Sequence, residues 1–309
     1  MGVSRGRIVP CRAGCPYPCP VSLVRLTDPG DLEAPIVVAA LDGWVDAGNA
    51  STAAAERLSE GATVVATFDA DKIFDYRARR PTLEIVDGRP AELTWPELAL
   101  KRKRLGTHDL LILSGPEPDY RWRELADDVV ELATRLGVVE WISLGAIPAA
   151  VPHTRPVPII GTASRPGLLL GDVQAGPVGT LRVPSAAISV LDIAITAAGI
   201  GAVGYFAQVP HYVTGAYPAA AIALLGAVAR HLSTEIPVGS LLDEATQLRT
   251  RLDTAAVMDE QTRTYVHRLE AMVDESRLPS GDELISDIER YLRDRGSGSG
   301  SNSGSGLPN

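Results

Sequence analysis

The residues best suited to chemistry lie in one acidic turn, Asp42–Asn49, which reads DGWVDAGN. The turn follows a continuous apolar run, which is typical of a strand buried on both faces, and it precedes an alanine-rich segment that predicts a helix. Open α/β sheets bind their ligands at such strand ends. The carboxylates of Asp42 and Asp46 can orient a polar substrate or act as a general base there.

A structural role explains the same turn. Asp42 can accept hydrogen bonds from backbone donors, Gly43 and Gly48 can supply unusual backbone angles, and Trp44 can pack at a subunit contact. Paired carboxylates also repel a phosphate group. We therefore expect a structural or interface role here rather than catalysis.

Two further loops follow predicted strands. The first, Pro152–Pro156, contains His153 and Arg155, which can bind an anion or a carboxylate because arginine offers a bidentate fork. The second contains His211 and Tyr212. If the strands are parallel, all three loops lie at one edge of the sheet and can line one crevice or one interface.

Known catalytic motifs are missing from the sequence. It contains no phosphate-binding loop with a partner lysine, no H-E-x-x-H and no G-x-S-x-G. The run Gly199–Gly204 matches G-x-G-x-x-G, but a helix is predicted before it and a strand after it, which is the reverse of the dinucleotide-binding order. The histidines are dispersed, so we expect no catalytic residues, no metal site and no cofactor.

The predicted elements alternate between strands and helices, which indicates an α/β fold with a three-layer architecture: a mostly parallel sheet with helices on both faces. Asp87-Gly88 predicts a hairpin turn, and Asn49 or Ser51 is expected to cap the first helix. The predicted strands are Val21–Leu26, Ile36–Leu41, Thr63–Phe68, Thr82–Val86, Ala91–Trp95, Asp109–Ser114, Val138–Ile147, Val157–Ala163 and Ala202–Val209. The predicted helices are Ala50–Leu58, Trp122–Leu136, Ser185–Ala198 and Pro218–Leu232.

Composition divides the chain into four parts. Residues 1–20 form a Cys- and Pro-rich leader, 21–237 an α/β core domain, 238–295 a helical segment expected to pack on that core, and 296–309 a Gly/Ser-rich tail expected to be disordered. Cys11, Cys15 and Cys19 have clustered spacing, as metal ligands do, but lack a nearby fourth ligand. We favour a flexible leader over a metal site.

Charge and hydropathy limit the partners. The net charge of −9 disfavours nucleic acid and anionic lipid. We find neither an uninterrupted membrane-spanning run nor a secretory signal, so we expect a cytoplasmic protein without a membrane partner.

Six blocks of the sequence resemble the actinobacterial branch of the proteasome assembly chaperone 2 family, and they extend from about Pro35 to Leu292. The blocks are IVVAALDGWVDAGNASTAAAERL, GPEPDYRW, VPHTRP, VQAGPVGTLRVPSAA, VPHYVTGAYPAAA and LPSGDELISDIERYL. The resemblance implies a fold similar to that of purine nucleoside phosphorylases and self-association as a homotrimer.

The same resemblance implies a role in assembling proteasome subunits. Relatives often end in a hydrophobic–tyrosine–any tripeptide that inserts between proteasome α-subunits, whereas this sequence ends Leu307-Pro308-Asn309, so docking through that tripeptide is not expected. The leading hypothesis is a non-enzymatic, homo-oligomeric chaperone-like protein. The alternative is a protein or enzyme that binds a nucleoside-like or carboxylate ligand, including the ATP-grasp or carboxylate-amine ligase activity with which this branch is also associated.

Overall fold

The structure is a computed structural model, and it describes residues 22–27, 29–170, 173–176 and 179–276. Several predictions lie outside the described residues: the leader with its three cysteines, the position of Val21, the last part of the predicted helical segment (277–295), and the Gly/Ser-rich tail. None of the described helices is long and apolar enough to span a bilayer.

Strands and helices alternate along the chain as the apolar runs predict. The strands are β1 (Val24–Leu26), β2 (Ile36–Asp42), β3 (Thr63–Phe68), β4 (Thr82–Val86), β5 (Arg89–Thr94), β6 (Ala99–Leu105), β7 (His108–Pro116), β8 (Glu140–Ala149), β9 (Ile159–Ala163), β10 (Gln174–Ala175) and β11 (Gly201–Pro210). The helices are α1 (Ala50–Ser59), α2 (Ala70–Ile73), α3 (Trp122–Arg135), α4 (Ala187–Ala197), α5 (Pro218–His231), α6 (Leu241–Met258) and α7 (Glu260–Ser276).

One nine-stranded sheet has the order β1-β3-β6-β7-β2-β8-β11-β9-β10. Its centre, β7-β2-β8-β11, is parallel, whereas β6 is antiparallel to β7 and β9 is antiparallel to β11. The sheet is therefore mixed, with a parallel centre. The unit β2-α1-β3 has both strands in the same direction, but β7 and β6 lie between them.

Helices cover both faces of the sheet, which confirms the predicted α/β fold. Alternate residues of β2 belong to the two apolar cores: Val37 and Ala39 lie in the core that contains α3 and α4 residues, and Ile36 and Val38 lie in the core that contains α1 and α5 residues. Because both faces are buried, the strand reads as a continuous apolar run.

The hairpin is confirmed. Strands β4 and β5 pair antiparallel around Asp87 and Gly88, which have φ angles of 50° and 76°. Such positive angles are those that a two-residue hairpin turn requires. The run Gly199–Gly204 is also confirmed as the end of a helix and the start of a strand, since α4 ends at Ala197 and β11 begins at Gly201.

Strand β6 was not predicted. It contains four consecutive basic residues, Lys101–Arg104, so its sequence lacks the apolar run of a buried strand. The tertiary structure nevertheless pairs it antiparallel with β3 on one side and β7 on the other. Asp109, fully buried on β7, forms ion pairs with Arg102 at 2.8 Å and with Arg104 at 3.3 Å, so two of these four charges have the same buried partner.

The chain divides into two compact units, Met1–Asp253 and Thr254–Asn309. In the first unit, Leu241, Leu248 and Leu252 of α6 pack against the core that contains α1 and α5 residues. The second unit contains the end of α6 and all of α7. The predicted packing of the whole 238–295 segment on the core stays a prediction.

Candidate functional site

The candidate site lies at the carboxyl edge of the parallel centre. The last residue of β2, Asp42, pairs with Pro116 of β7, and the last residue of β11, Pro210, pairs with Ala149 of β8. The three loops singled out in the sequence follow β2, β8 and β11. Parallel pairing therefore brings them to one edge of the sheet, where α/β folds place their binding sites.

Asp46 is the carboxylate that organises the acidic turn. Its Oδ1 atom accepts hydrogen bonds from the backbone N–H and the hydroxyl of Ser51, both at 2.7 Å. Its Oδ2 atom accepts hydrogen bonds from the backbone N–H and the hydroxyl of Thr52. These donors belong to the first turn of α1, so Asp46 caps the helix, and it is only 7% exposed.

The structure contradicts the structural role expected for Asp42 and the capping role expected for Asn49. Asp42 was expected to bind backbone donors, but its side chain is exposed and the backbone carbonyl is the group that accepts a hydrogen bond, from the N–H of Glu117 at 2.8 Å. Asn49 has a left-handed backbone, with φ 50°, and makes no side-chain capping bond. Ser51 is not the capping residue, because its backbone N–H and its hydroxyl donate hydrogen bonds to the capping carboxylate of Asp46.

The two glycines of the turn have different roles. Gly48 has φ +67°, and a Cβ added there would lie 2.7 Å from Cβ of Tyr217, so this position needs glycine for both its angle and its space. Gly43 has no positive φ. A Cβ at Gly43 would collide with the side chain of Glu117, so only the close approach requires glycine.

Glu117 was missed by sequence reasoning, although it lies directly after β7. Its Oε2 atom accepts a hydrogen bond from the N–H of Trp44 at 3.0 Å, and its Oε1 atom accepts one from the N–H of Ala187 at 2.6 Å. Ala187 begins α4, so one buried carboxylate joins the acidic turn to this helix. The only signal in the sequence was an acidic residue at a strand end.

Trp44 projects from this fixed turn. Its backbone N–H is bound by Glu117, and the carbonyl of the next residue, Val45, accepts a hydrogen bond from Ala146 of β8 at 2.6 Å. The side chain is 67% exposed. The large indole ring is therefore exposed to solvent, whereas the backbone that carries it is fixed by hydrogen bonds to Glu117, directly after β7, and to Ala146 of β8.

The second and third loops meet at His153, which is 4% exposed. Its ring nitrogen Nδ1 lies 2.7 Å from the hydroxyl of Tyr212, and its backbone N–H donates to the same hydroxyl at 2.8 Å. Its Nε2 atom lies 3.1 Å from the Asp253 carboxylate. The ring of Tyr212 is also edge-on to those of His153 and His211. Both ring nitrogens of His153 therefore have a partner, which fixes the orientation of the ring.

Arg249 and Asp253 complete this cluster and were also missed. The Nε atom of Arg249 lies 3.0 Å from both carboxylate oxygens of Asp253, and its guanidinium donates to the carbonyl of His153 at 3.0 Å. The two residues are one turn apart on α6. An i, i+4 pair of opposite charge is visible in the sequence, but such pairs are common on exposed helices.

Sites for small ligands have volumes of roughly 300 to 1,000 Å³, and the pocket beside this cluster has a volume of about 580 Å³. His153, Arg155 and Arg249 supply its polar wall, and Ile222 and Leu252 contribute apolar surface.

Tyr217 connects the pocket to the acidic turn. It lines the pocket, and its backbone N–H donates to the carbonyl of Gly48 at 2.8 Å. Burial raises the pKa of Tyr217 to about 12, with a further contribution from Tyr212, so the phenol stays neutral. The structure thus brings His153, Arg155 and Tyr212 together, with His211 beside Tyr212. Asp42, Trp44, Asp46 and Asn49 form the separate turn.

Among the described residues, no group of three or more His, Cys, Asp or Glu side chains is arranged to hold a metal ion. The groups that line the pocket are guanidinium, imidazole and apolar side chains. This combination can bind a carboxylate with an apolar body.

Comparison with known proteins gives a consistent result. The PAC2 family model matches residues 40–256. A PAC2 family protein from Streptomyces avermitilis is 35% identical, with 75% of this chain and 99% of that chain covered and a TM-score of 0.68. A Mycobacterium tuberculosis proteasome-assembly chaperone homologue is 33% identical, with the same coverage and TM-score.

A second Mycobacterium tuberculosis protein, described as of unknown function, is 33% identical over 84% of this chain and 93% of its own, with a TM-score of 0.76. A comparison with curated protein sequences found no significant match. The matched region contains the acidic turn, the His153 cluster and the strands β7, β8 and β11 of the parallel centre. The chain belongs to the PAC2 family.

Proposed function

We propose that this protein is a non-enzymatic, homo-oligomeric chaperone-like protein that assists the assembly of a protein complex. Membership of the PAC2 family supports the chaperone-like role. The buried carboxylate of Asp46 accepts hydrogen bonds from the first turn of α1, and that of Glu117 accepts one from the backbone N–H of Trp44 in the acidic turn, so both carboxylates have structural partners. Cytoplasmic action is part of the proposal.

The observation that carries self-association is the exposure of Trp44. Tryptophan is enriched among the residues that dominate binding energy at interfaces, and a rigid backbone lowers the entropy lost when such a residue is buried. Trp44 combines a 67% exposed ring with a backbone fixed by Glu117. We propose that this ring packs against a second copy of the chain, with a homotrimer as the expected state.

Proteasome subunits are the client that we propose. The support is the relative from Mycobacterium tuberculosis that is described as a proteasome-assembly chaperone homologue and is 33% identical. Affinity purification of the tagged chain from its own cell tests this proposal. Recovery of proteasome α-subunits with the tagged chain is expected, and their absence from repeated purifications would argue for another client.

Light scattering after size-exclusion chromatography tests self-association. The wild-type chain is expected to have about three times the monomer mass, and Trp44→Ala is expected to shift it toward the monomer. Trp95→Ala is the matched control, because Trp95 is also an exposed tryptophan, at 49%, but its ring packs on that of Tyr76, with 4.7 Å between the ring centroids. A wild-type chain that stays monomeric at all concentrations would contradict the proposal.

The pocket beside His153 favours a second candidate function, binding of a nucleoside-like or carboxylate ligand. Its volume of about 580 Å³ is within the range of small-molecule sites. A thermal-shift screen with nucleosides, nucleotides and amino acids tests it, because a ligand that binds only the folded state raises the melting temperature. If no compound does so, this candidate loses its support.

A further inference from the structure

A second cavity, of about 330 Å³, lies between α4 and the strands β9 and β11. None of its residues was a candidate site residue in the sequence, although Ala202, Val203 and Gly204 belong to the Gly199–Gly204 run. Three hydroxyl side chains line it, those of Thr162, Ser164 and Thr196, together with the carboxylate of Asp192 and the alkyl groups of Ile193 and Ala197. It is therefore a small, mostly apolar pocket that is open to solvent, since Ile193 is 71% exposed, and it contains one acidic group.

The carboxylate of Asp192 is fixed by hydrogen bonds to its Oδ1 atom. The indole N–H of Trp141 donates to this oxygen at 2.8 Å, and the hydroxyl of Ser143 donates to it as well. Trp141 and Ser143 are fully buried on β8, so these two donors fix the orientation of the carboxylate. Within the described ranges, the hydrogen bonds of Asp192 all end at Oδ1, which leaves Oδ2 for a ligand.

No basic side chain in the described part of the chain neutralises Asp192. Burial raises its pKa to about 6, and the hydrogen bonds from Ser143 and Trp141 oppose that shift without reversing it. The groups that face it from β8, β9 and α4 are an indole and hydroxyls, none of which titrates near neutral pH. The guanidinium of Arg165, next to Ser164 in the chain, lies beside Gly201 instead.

A half-buried carboxylate without a counter-ion costs free energy, and a bound cation offsets that cost. An ammonium group has three N–H donors, which matches one carboxylate oxygen and neighbouring hydroxyl acceptors. The alkyl groups of Ile193 and Ala197 suit an apolar body, and the cavity is at the lower end of the usual size for ligand sites.

We propose that this cavity binds a small primary amine with an apolar body, its ammonium group on Asp192 and its hydrocarbon part against Ile193 and Ala197. This site is separate from the acidic turn and from the His153 pocket. The proposal does not depend on self-association or on a proteasome client.

Isothermal titration calorimetry of the full chain with phenethylamine tests the proposal at pH 7.5. The neutral control is 2-phenylethanol, which has the same carbon skeleton with a hydroxyl in place of the ammonium. A charge-assisted hydrogen bond is worth enough for a difference of about tenfold or more in affinity. We therefore expect phenethylamine to bind at least about tenfold more tightly than 2-phenylethanol.

Two variants separate the charge from the shape of the cavity. Asp192→Asn keeps an acceptor for Trp141 and Ser143 but removes the charge, so it should abolish the preference for the amine. Ala197→Phe should block the cavity for both compounds, and Ala198→Phe, the neighbouring exposed position outside the lining, is its control. Melting curves confirm that each variant is folded.

The pH dependence gives a further readout. Because Asp192 must be ionised, affinity for phenethylamine should fall about tenfold between pH 7.5 and pH 5.0, on either side of its pKa of about 6. Three results would each overturn the proposal: no binding of phenethylamine at millimolar concentration, equal binding of the amine and the alcohol, or unchanged amine binding by the Asp192→Asn variant.

Discussion

Asp42 and Asp46 are four residues apart in one turn, yet their environments differ completely. Asp46 is buried and accepts hydrogen bonds from four donors of Ser51 and Thr52. Asp42 is exposed at the end of β2. A buried carboxylate that accepts several hydrogen bonds at a helix N-terminus stabilises that helix through both the bonds and the helix dipole. At the residue scale, Asp46 therefore belongs to the architecture of the turn.

The Asp46→Ala substitution should lower the free energy of unfolding by about 2 to 4 kcal/mol, because it removes a helix cap and leaves buried donors of Ser51 without an acceptor. Urea denaturation followed by circular dichroism measures the effect. The control is Asp42→Ala, for which a change within about 0.5 kcal/mol is expected at an exposed position. Equal losses for the two variants would contradict the structural assignment of Asp46.

Asp192 should make stability depend on pH in the opposite sense to an ordinary aspartate. Its pKa rises from 3.8 to about 6 on folding, so its contribution to stability is present below pH 3.8 and is lost as the pH rises to about 6. Asp192→Asn should therefore raise the free energy of unfolding at pH 8 by about 1 to 2 kcal/mol, since partial contact with solvent reduces the full effect of roughly 3 kcal/mol.

Denaturation of the wild-type chain and the Asp192→Asn variant at pH 4 and pH 8 measures this difference. The gain should be largest at pH 8 and smallest at pH 4. A gain that is the same at both values would indicate that the substitution acts through packing, without a titrating carboxylate.

At the scale of elements, the site is built from contacts between loops and helix ends. Glu117 joins the loop after β7 to the acidic turn and to the start of α4. Gly48 joins the acidic turn to the start of α5, where its carbonyl accepts a hydrogen bond from Tyr217. The strand ends of the parallel centre are thus linked to helices on both faces of the sheet.

The Gly48→Ala substitution tests the contact between the acidic turn and α5. The left-handed backbone alone costs an alanine about 1 to 2 kcal/mol, and the collision with Tyr217 adds to this cost. Gly61→Ala is a matched control, because Gly61 has φ +72° and nothing lies within 4 Å of an added Cβ. Gly48→Ala should therefore destabilise the chain by at least about 1 kcal/mol more than Gly61→Ala, as measured by urea denaturation.

At the scale of the whole molecule, charge opposes self-association. Each copy carries a net charge of −9, so copies repel one another at long range. If Trp44 forms a largely apolar contact, added salt should favour the oligomer because it screens this repulsion. Raising sodium chloride from about 20 mM to about 300 mM, where the screening length becomes shorter than about 10 Å, should raise the oligomer fraction in light scattering.

The opposite result has a clear meaning. If the oligomer dissociates as salt rises, ion pairs hold the copies together, and the apolar Trp44 contact is not the main source of affinity. Wild-type and Trp44→Ala chains should be compared in the same salt series, because an effect that persists in the variant arises from another surface.

The amino-acid sequence by itself determined the alternation of strands and helices, the buried centre of the sheet, the Asp87-Gly88 hairpin and the family. These features depend on local patterns: apolar runs, helical periodicity and turn residues act over a few positions. The strand ends were also predicted, so the acidic turn and the loops with His153 and Tyr212 could be selected as candidates.

Only the tertiary structure decided which of those side chains work together. Strand β6 lacks an apolar signature and gains its place from pairing with β3 and β7. Asp46 rather than Asp42 caps α1, Glu117 binds a turn 73 residues away, and Asp192 meets Trp141 and Ser143 across 51 and 49 residues. Hydrogen bonds and burial depend on the order of strands in the sheet, and no short stretch of sequence encodes that order.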